Sequence, residues 1–209
     1  MKRTIFVVIL CLLLCHATYG ENKIVGATLQ GAIAGGGASG AAASCNTGTD
    51  TIGITSPGAL TTSSTANTLA CQIFTPVCTS GCTSGNLSAA YLSHHGTSAD
   101  VATVCVYSDD GDSIPNIGDL RIGCSSEISS STDGENATVA ISGAITCANK
   151  YWVCMHSDAT AWDFHYSSGG ANAAWFLAKV YSAGTGPANL DGTWTGSTLL
   201  RAKYVTIGP

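Results

Sequence analysis

From Cys45 to the C-terminus, short apolar runs alternate with clusters of Gly, Ser, Thr, Asn and Asp. No stretch repeats its apolar residues at the 3.6-residue spacing of a helix. The runs predict strands at Ala66–Phe74, Leu87–Ser93, Val101–Ser108, Leu120–Cys124, Ala137–Ile141, Tyr151–His156, Ala161–Tyr166, Ala174–Tyr181 and Leu199–Ile207. Val101–Ser108 (VATVCVYS) is the clearest, being rich in β-branched and aromatic residues. Tyr151–His156 (YWVCMH) is apolar without alternation. In Ala161–Tyr166, Trp162, Phe164 and Tyr166 fall on one face, with Asp163 and His165 on the other. Short strands at close spacing, joined by turns, predict an antiparallel β-sandwich of jelly-roll type over residues 45–209.

The first 44 residues have a different pattern. Lys2 and Arg3 precede an apolar run from Ile5 to Cys15, and Ala17, Thr18 and Gly20 then supply small residues. That order reads as a secretory signal peptide over residues 1–20, with cleavage after Gly20 or Ala17. The run is short for a membrane span. Cys11 and Cys15 each follow Leu, where lipoprotein processing wants a small residue. After cleavage no segment is apolar enough to cross a membrane. Residues 21–44 form a Gly/Ala-rich arm in which Gly35–Gly37 break any regular element. The arm reads either as a flexible linker or as a tether for the apolar residues Ile24, Val25, Leu29 and Ile33. In the second reading those four dock onto a neighbouring subunit and drive assembly.

Charge narrows the functional classes. Charged residues are 10% of the chain, and with Lys2 and Arg3 removed the 6 remaining basic residues face 13 acidic ones, a net charge of −7. No basic cluster survives, which excludes nucleic acid as an expected partner. A surface with so little charge is inexpensive to desolvate, which favours a self-associating protein.

Cysteine supplies the next constraint. Eight remain beyond the leader: Cys45, Cys71, Cys78, Cys82, Cys105, Cys124, Cys147 and Cys154. An even number in an exported chain reads as four disulfides. The alternative of a zinc site lacks a C-x-x-C and lacks histidines at finger spacing. A hairpin of Val101–Ser108 with Leu120–Cys124 would set Cys105 opposite Cys124 and Tyr107 opposite Ile122. Cys147 with Cys154, and Cys78 with Cys82, are the local pairings. Cys45 and Cys71 then remain by elimination.

Several stretches carry a family likeness. They are Asn67–Pro76 (NTLACQIFTP), Thr83–Leu92 (TSGNLSAAYL), Val104–Gly123 (VCVYSDDGDSIPNIGDLRIG) and Ala148–Ala159 (ANKYWVCMHSDA). Together they resemble the jelly-roll β-sandwich modules of secreted bacterial anchor-type proteins and of phage fibres, over residues 45–209. The resemblance implies display, adhesion or assembly without catalysis. It brings no site residue with it, and the eight cysteines and the Gly/Ala arm depart from its pattern.

The candidate chemistry is sparse. Asp109, Asp110 and Asp112, with Asp119 nearby, crowd one turn and are the candidate ligands for Ca²⁺, the only cofactor the chain suggests. Asp/Gly turn chemistry explains the same cluster. His94, His95, His156 and His165 show no ligand spacing. Trp162, Phe164, Tyr166, Trp175 and Trp194 are either core or a sugar-stacking platform. Trp194, in the loop GTWTG, is the best exposed ligand-binding candidate. Asn86 and Asn136 open glycosylation sequons. The chain has no G-x-S-x-G, S-x-x-K or H-E-x-x-H. The expectation is a secreted, non-enzymatic extracellular or cell-surface protein, a self-assembling filament or surface subunit. The alternative is a carbohydrate-binding or adhesive module, with glycans as partner.

Overall fold

The computed structural model describes residues 44–46, 48–56, 58–63, 66–79, 81–95, 101–129, 136–158, 163–169, 173–181, 184–201 and 203–209. The leader, the four apolar arm residues and Trp162 lie outside them. The described chain is all-β, and its ladders are antiparallel.

Two sheets face each other. The first is organised around β4 (Ser84–His95), a 12-residue strand that pairs with β15 (Lys203–Gly208), β8 (Asn136–Ala140), β9 (Ala144–Thr146) and β11 (Asp163–Ser168). β1 (Thr51–Gly53) lies outside β15. β2 (Leu60–Ser63) and β14 (Leu199–Arg201) both pair with β11. The second sheet runs β13 (Thr195–Ser197), β12 (Ala174–Ala178), β3 (Thr68–Phe74), β10 (Tyr151–Ser157), β5 (Val101–Ser108), β6 (Arg121–Cys124), with β7 (Ile128–Ser129) also on β5.

Side-chain alternation places the core. Leu87, Ala90, Leu92, Val205 and Ile207 of the first sheet meet Ala70, Val104, Val106, Val153 and Met155 of the second. The second sheet is also covered on its other face. There Leu69, Cys71, Tyr107, Trp152, Cys154 and Leu177 lie under Leu190 and the partly buried Trp194. The chain segment around Leu190 is held down by Tyr107, whose hydroxyl donates to the Pro187 carbonyl at 3.0 Å. Burial on both faces is why β10 is apolar from Tyr151 to Met155: all seven of the strand's residues are buried.

The cysteines divide between these two layers. Cys45–Cys82 and Cys78–Cys147 belong to the inter-sheet side, and Cys71–Cys154 and Cys105–Cys124 to the outer cluster. The expected Cys105–Cys124 bridge forms, and the two residues lie opposite each other in the ladder. The expected Cys147–Cys154, Cys78–Cys82 and Cys45–Cys71 bridges do not. Two of those three would have had to pass through the second sheet, because Cys71 and Cys154 face outward while Cys45 and Cys147 face the inter-sheet core. Cys78 and Cys82 each find a partner from farther along the chain. The expected register also needs correction beyond Cys105. A bulge after Val106 sets Tyr107 opposite Arg121 and not Ile122.

Candidate functional site

Among the described residues, no second apolar cluster packs on the outer face of the first sheet as one does on the second. Here Tyr91 of β4 and Tyr204 of β15 are register partners. Their rings stack with centroids 4.3 Å apart and planes 3° from parallel. Such cross-strand aromatic pairs contribute about 0.5–1.5 kcal/mol beyond the area they bury. Both rings are half-exposed. Burial, then the neighbouring Tyr91, pushes the Tyr204 hydroxyl above the usual tyrosine value, so it stays a neutral donor and acceptor.

The two tyrosines form one wall of a groove of about 590 Å³. Thr49, Thr51, Thr55 and Thr206 line it, with Gly48, Gly53 and the exposed Val77. Among the described residues, no charged side chain lines it. Gly53 makes the floor possible. It lies opposite Tyr204 with φ of 122°, and a Cβ there would run into the backbone of Lys203 and Tyr204.

One rim is fixed by Asp50, which is 1% exposed. Its carboxylate accepts the Asn46 N–H at 2.8 Å, the Thr79 N–H at 2.7 Å and the hydroxyls of Thr79 and Thr49 at 2.5 and 3.3 Å. Burial alone would raise its pKa. The hydrogen bonds, led by Thr79, outweigh burial and hold it below the ordinary aspartate value. Asp50 is therefore a positioning residue: it ties Thr49, at the groove, to the Thr79 loop.

Trp194 immediately precedes β13. It is half-buried, packs on the outer cluster of the second sheet, and its indole N–H donates to the Leu190 carbonyl at 2.8 Å. Trp175 packs on the same cluster and Phe176 on the inter-sheet core. Of the aromatic residues expected as a platform, Trp175 and Trp194 pack on the outer cluster of the second sheet, while Trp162 and the Phe164 side chain lie outside the described residues. The exposed aromatic surface lies at Tyr91 and Tyr204, whose alternation with buried Leu92 and Val205 was the available signal.

The acidic turn keeps Asp109, Asp110 and Asp112 close, with carboxylate oxygens within 4.8 Å of one another. Most of their bonding closes the turn. Asp109 accepts from Ser113 N–H, and Asp112 from Ile114 N–H. The Asn116 amide donates to both Asp110 and Asp112. Asp119, fully buried, accepts the N–H groups of Asp110 and Asn116 at 3.0 and 2.9 Å. A calcium ion wants six to eight oxygens, and an Asn116 N–H now points where such an ion would want a further oxygen.

Of the histidines with described side chains, His156 and His165 lie on different sheets. His156 lies on the second sheet, buried, with Nε2 3.0 Å from the Lys179 carbonyl and its ring edge-on to Tyr181. His165 lies on the first sheet beside Gly58. His94 and His95 are strand residues whose side chains lie outside the description. Burial lowers the pKa of His156 and raises that of Tyr181 to about 12. Both shifts favour the neutral forms, which suits packing and not acid–base work at neutral pH. Asn86 of the first sequon is exposed on β4, and its amide donates to the Pro209 carbonyl at 3.0 Å.

Four disulfides belong to an oxidising compartment. Among the described residues no helix is long and apolar enough to cross a membrane. No protein-family model matches the chain, and no curated protein matches it.

Proposed function

We propose that this is an exported, non-enzymatic protein that recognises carbohydrate through the groove beside Tyr91 and Tyr204. The observation that carries the reading is a neutral groove, walled by two stacked tyrosines and lined by four threonines, on the outer face of the first sheet. A sugar offers apolar C–H faces and a rim of hydroxyls. Rings supply the first contact, and threonine and tyrosine hydroxyls can both give and accept the second. The absence of charge at the groove suits a neutral glycan over a charged one.

Binding of the mature protein to a neutral-glycan array tests this, alongside Tyr204→Ala and Trp194→Ala. Losing one stacked ring should weaken binding by roughly tenfold, a loss of about 1.4 kcal/mol. Trp194→Ala should leave binding intact while lowering stability. Failure to bind any neutral glycan, or binding indifferent to Tyr204→Ala, overturns the reading.

Self-assembly is the second reading. What favours it is the exposed apolar set Ile114, Ile117 and Leu120 on one hairpin, together with Val180. In this reading the arm residues Ile24, Val25, Leu29 and Ile33 add a strand to a neighbouring copy.

A further inference from the structure

Lys203 is 1% exposed and points from β15 into the inter-sheet core. A lysine so buried ordinarily meets a carboxylate. Here the partner of Nζ among the described residues is the side-chain oxygen of Gln72, which is itself 1% exposed and reaches in from β3 of the opposite sheet. The Gln72 Nε2 has no hydrogen-bond partner among the described residues. The residues beside the pair in the two ladders are Leu92 and Val153, both fully buried. Arg201, 4% exposed and 4.8 Å over the Phe176 ring, adds a positive charge nearby. Burial first, and that charge second, push Lys203 well below the ordinary lysine value, toward the neutral amine that carries a free lone pair.

For stability alone this arrangement is poor, since apolar residues of similar volume would pack here without desolvating an amine and an amide. The cysteine pattern suggests what it is for. Residues 155–209 contain no cysteine, so β11 to β15 lie outside every disulfide loop, although β15 is a central strand of the first sheet. Lys203 is on that unstapled segment, and Gln72 is on the stapled one.

We propose that Lys203 and Gln72 are a modification site, joined after folding by an amide bond between Lys203 Nζ and Gln72 Cδ. The lone pair of Nζ attacks Cδ, the Cδ–Nε2 bond breaks, one proton passes from Nζ to Nε2, and ammonia leaves. Nothing is oxidised or reduced and no co-reactant is required. Folding supplies the proximity that makes such a step accessible. The Arg201 charge favours the negative oxygen that develops on the way, and loss of ammonia to solvent draws the exchange forward.

Intact mass of the purified exported protein, reduced and alkylated, tests this. The chain should weigh about 17 Da less than its sequence, the mass of one ammonia. Lys203→Met and Gln72→Met should restore the full mass. A tryptic map should contain a branched peptide joining the Gln72 and Lys203 segments, with cleavage after Lys203 blocked. Should the variants fail to fold, the wild-type map alone decides. Full mass with complete cleavage after Lys203 overturns the proposal, as does a deficit that persists in Lys203→Met.

Discussion

The two long disulfides constrain the same segment from opposite faces of one sheet, and this has a measurable consequence. Cys71–Cys154 and Cys78–Cys147 close loops of 83 and 69 residues. They are also nested. With Cys78–Cys147 in place, the path from Cys71 to Cys154 is only about 14 residues, seven on each side of that bridge. In the chain-entropy account a loop of this length is worth about 3 kcal/mol, and the longer loop left when neither partner is present about 4 kcal/mol. Replacing either pair by alanines should therefore cost about 3 kcal/mol from loop closure, because the other bridge still holds the segment. Replacing both should cost about 7 kcal/mol, exceeding the sum of the two by about 1 kcal/mol. Packing losses enter each arm of the cycle equally, and the two bridges lie in separate clusters, so direct contact does not mimic the coupling. For a domain of this size each kcal/mol moves Tm by about 2–4 °C. Either single removal should lower Tm by about 6–12 °C, and the double removal by more than the sum. The assay is chemical denaturation and thermal melting of the four proteins. Strict additivity, or a double variant no worse than one single, would refute the nesting and with it the pairing.

Two further outcomes follow from local structure. Asp50 has a folded pKa below its unfolded value, so its contribution is full above about pH 4 and is lost as the pH falls through the folded pKa. Asp50→Ala should cost about 1–3 kcal/mol at neutral pH. It should also flatten the acid limb of a Tm-against-pH curve, and an unchanged acid limb would remove Asp50 from the account. Deleting residues 21–40 should leave a folded domain with intact glycan binding. If the arm exchanges strands between copies, the deletion should also abolish oligomers seen by light scattering, and oligomers that survive it would retire the assembly reading.

Much of the fold was legible because strand signals here are local. Val101–Ser108 has its expected bounds, and the expected Tyr151–His156 extends by one residue to Ser157. The Leu199–Ile207 run is broken into β14 and β15, which pair with different neighbours. β1, β9 and β13 were not legible. Each is three residues long, too short for alternation to register. Disulfide pairing was legible only where a hairpin fixed it, at Cys105–Cys124. The others needed knowledge of which face each cysteine takes. Cys154 has Cys71 on one neighbouring strand and Cys105 on the other, each directly opposite it. Register alone thus admits two partners for it.

The site was harder to read for a related reason. Trp194 sits in a Gly/Thr loop, and loops are commonly exposed. This one instead crosses a sheet whose outer face is apolar, with Trp152, Tyr107 and Leu69 fully buried beneath it. A large aromatic over such a face is drawn down to cover it. The tyrosines that remain at the surface have buried Leu92 and Val205 beside them in their strands, so they read as ordinary core-strand aromatics. What separates Tyr91 and Tyr204 from Trp152 is the presence of a cover, and that depends on where the chain around Leu190 crosses the sheet. Among the described residues, Leu190 and Trp194 close over the outer face of the second sheet, whereas Tyr91 and Tyr204 on the first stay part-exposed.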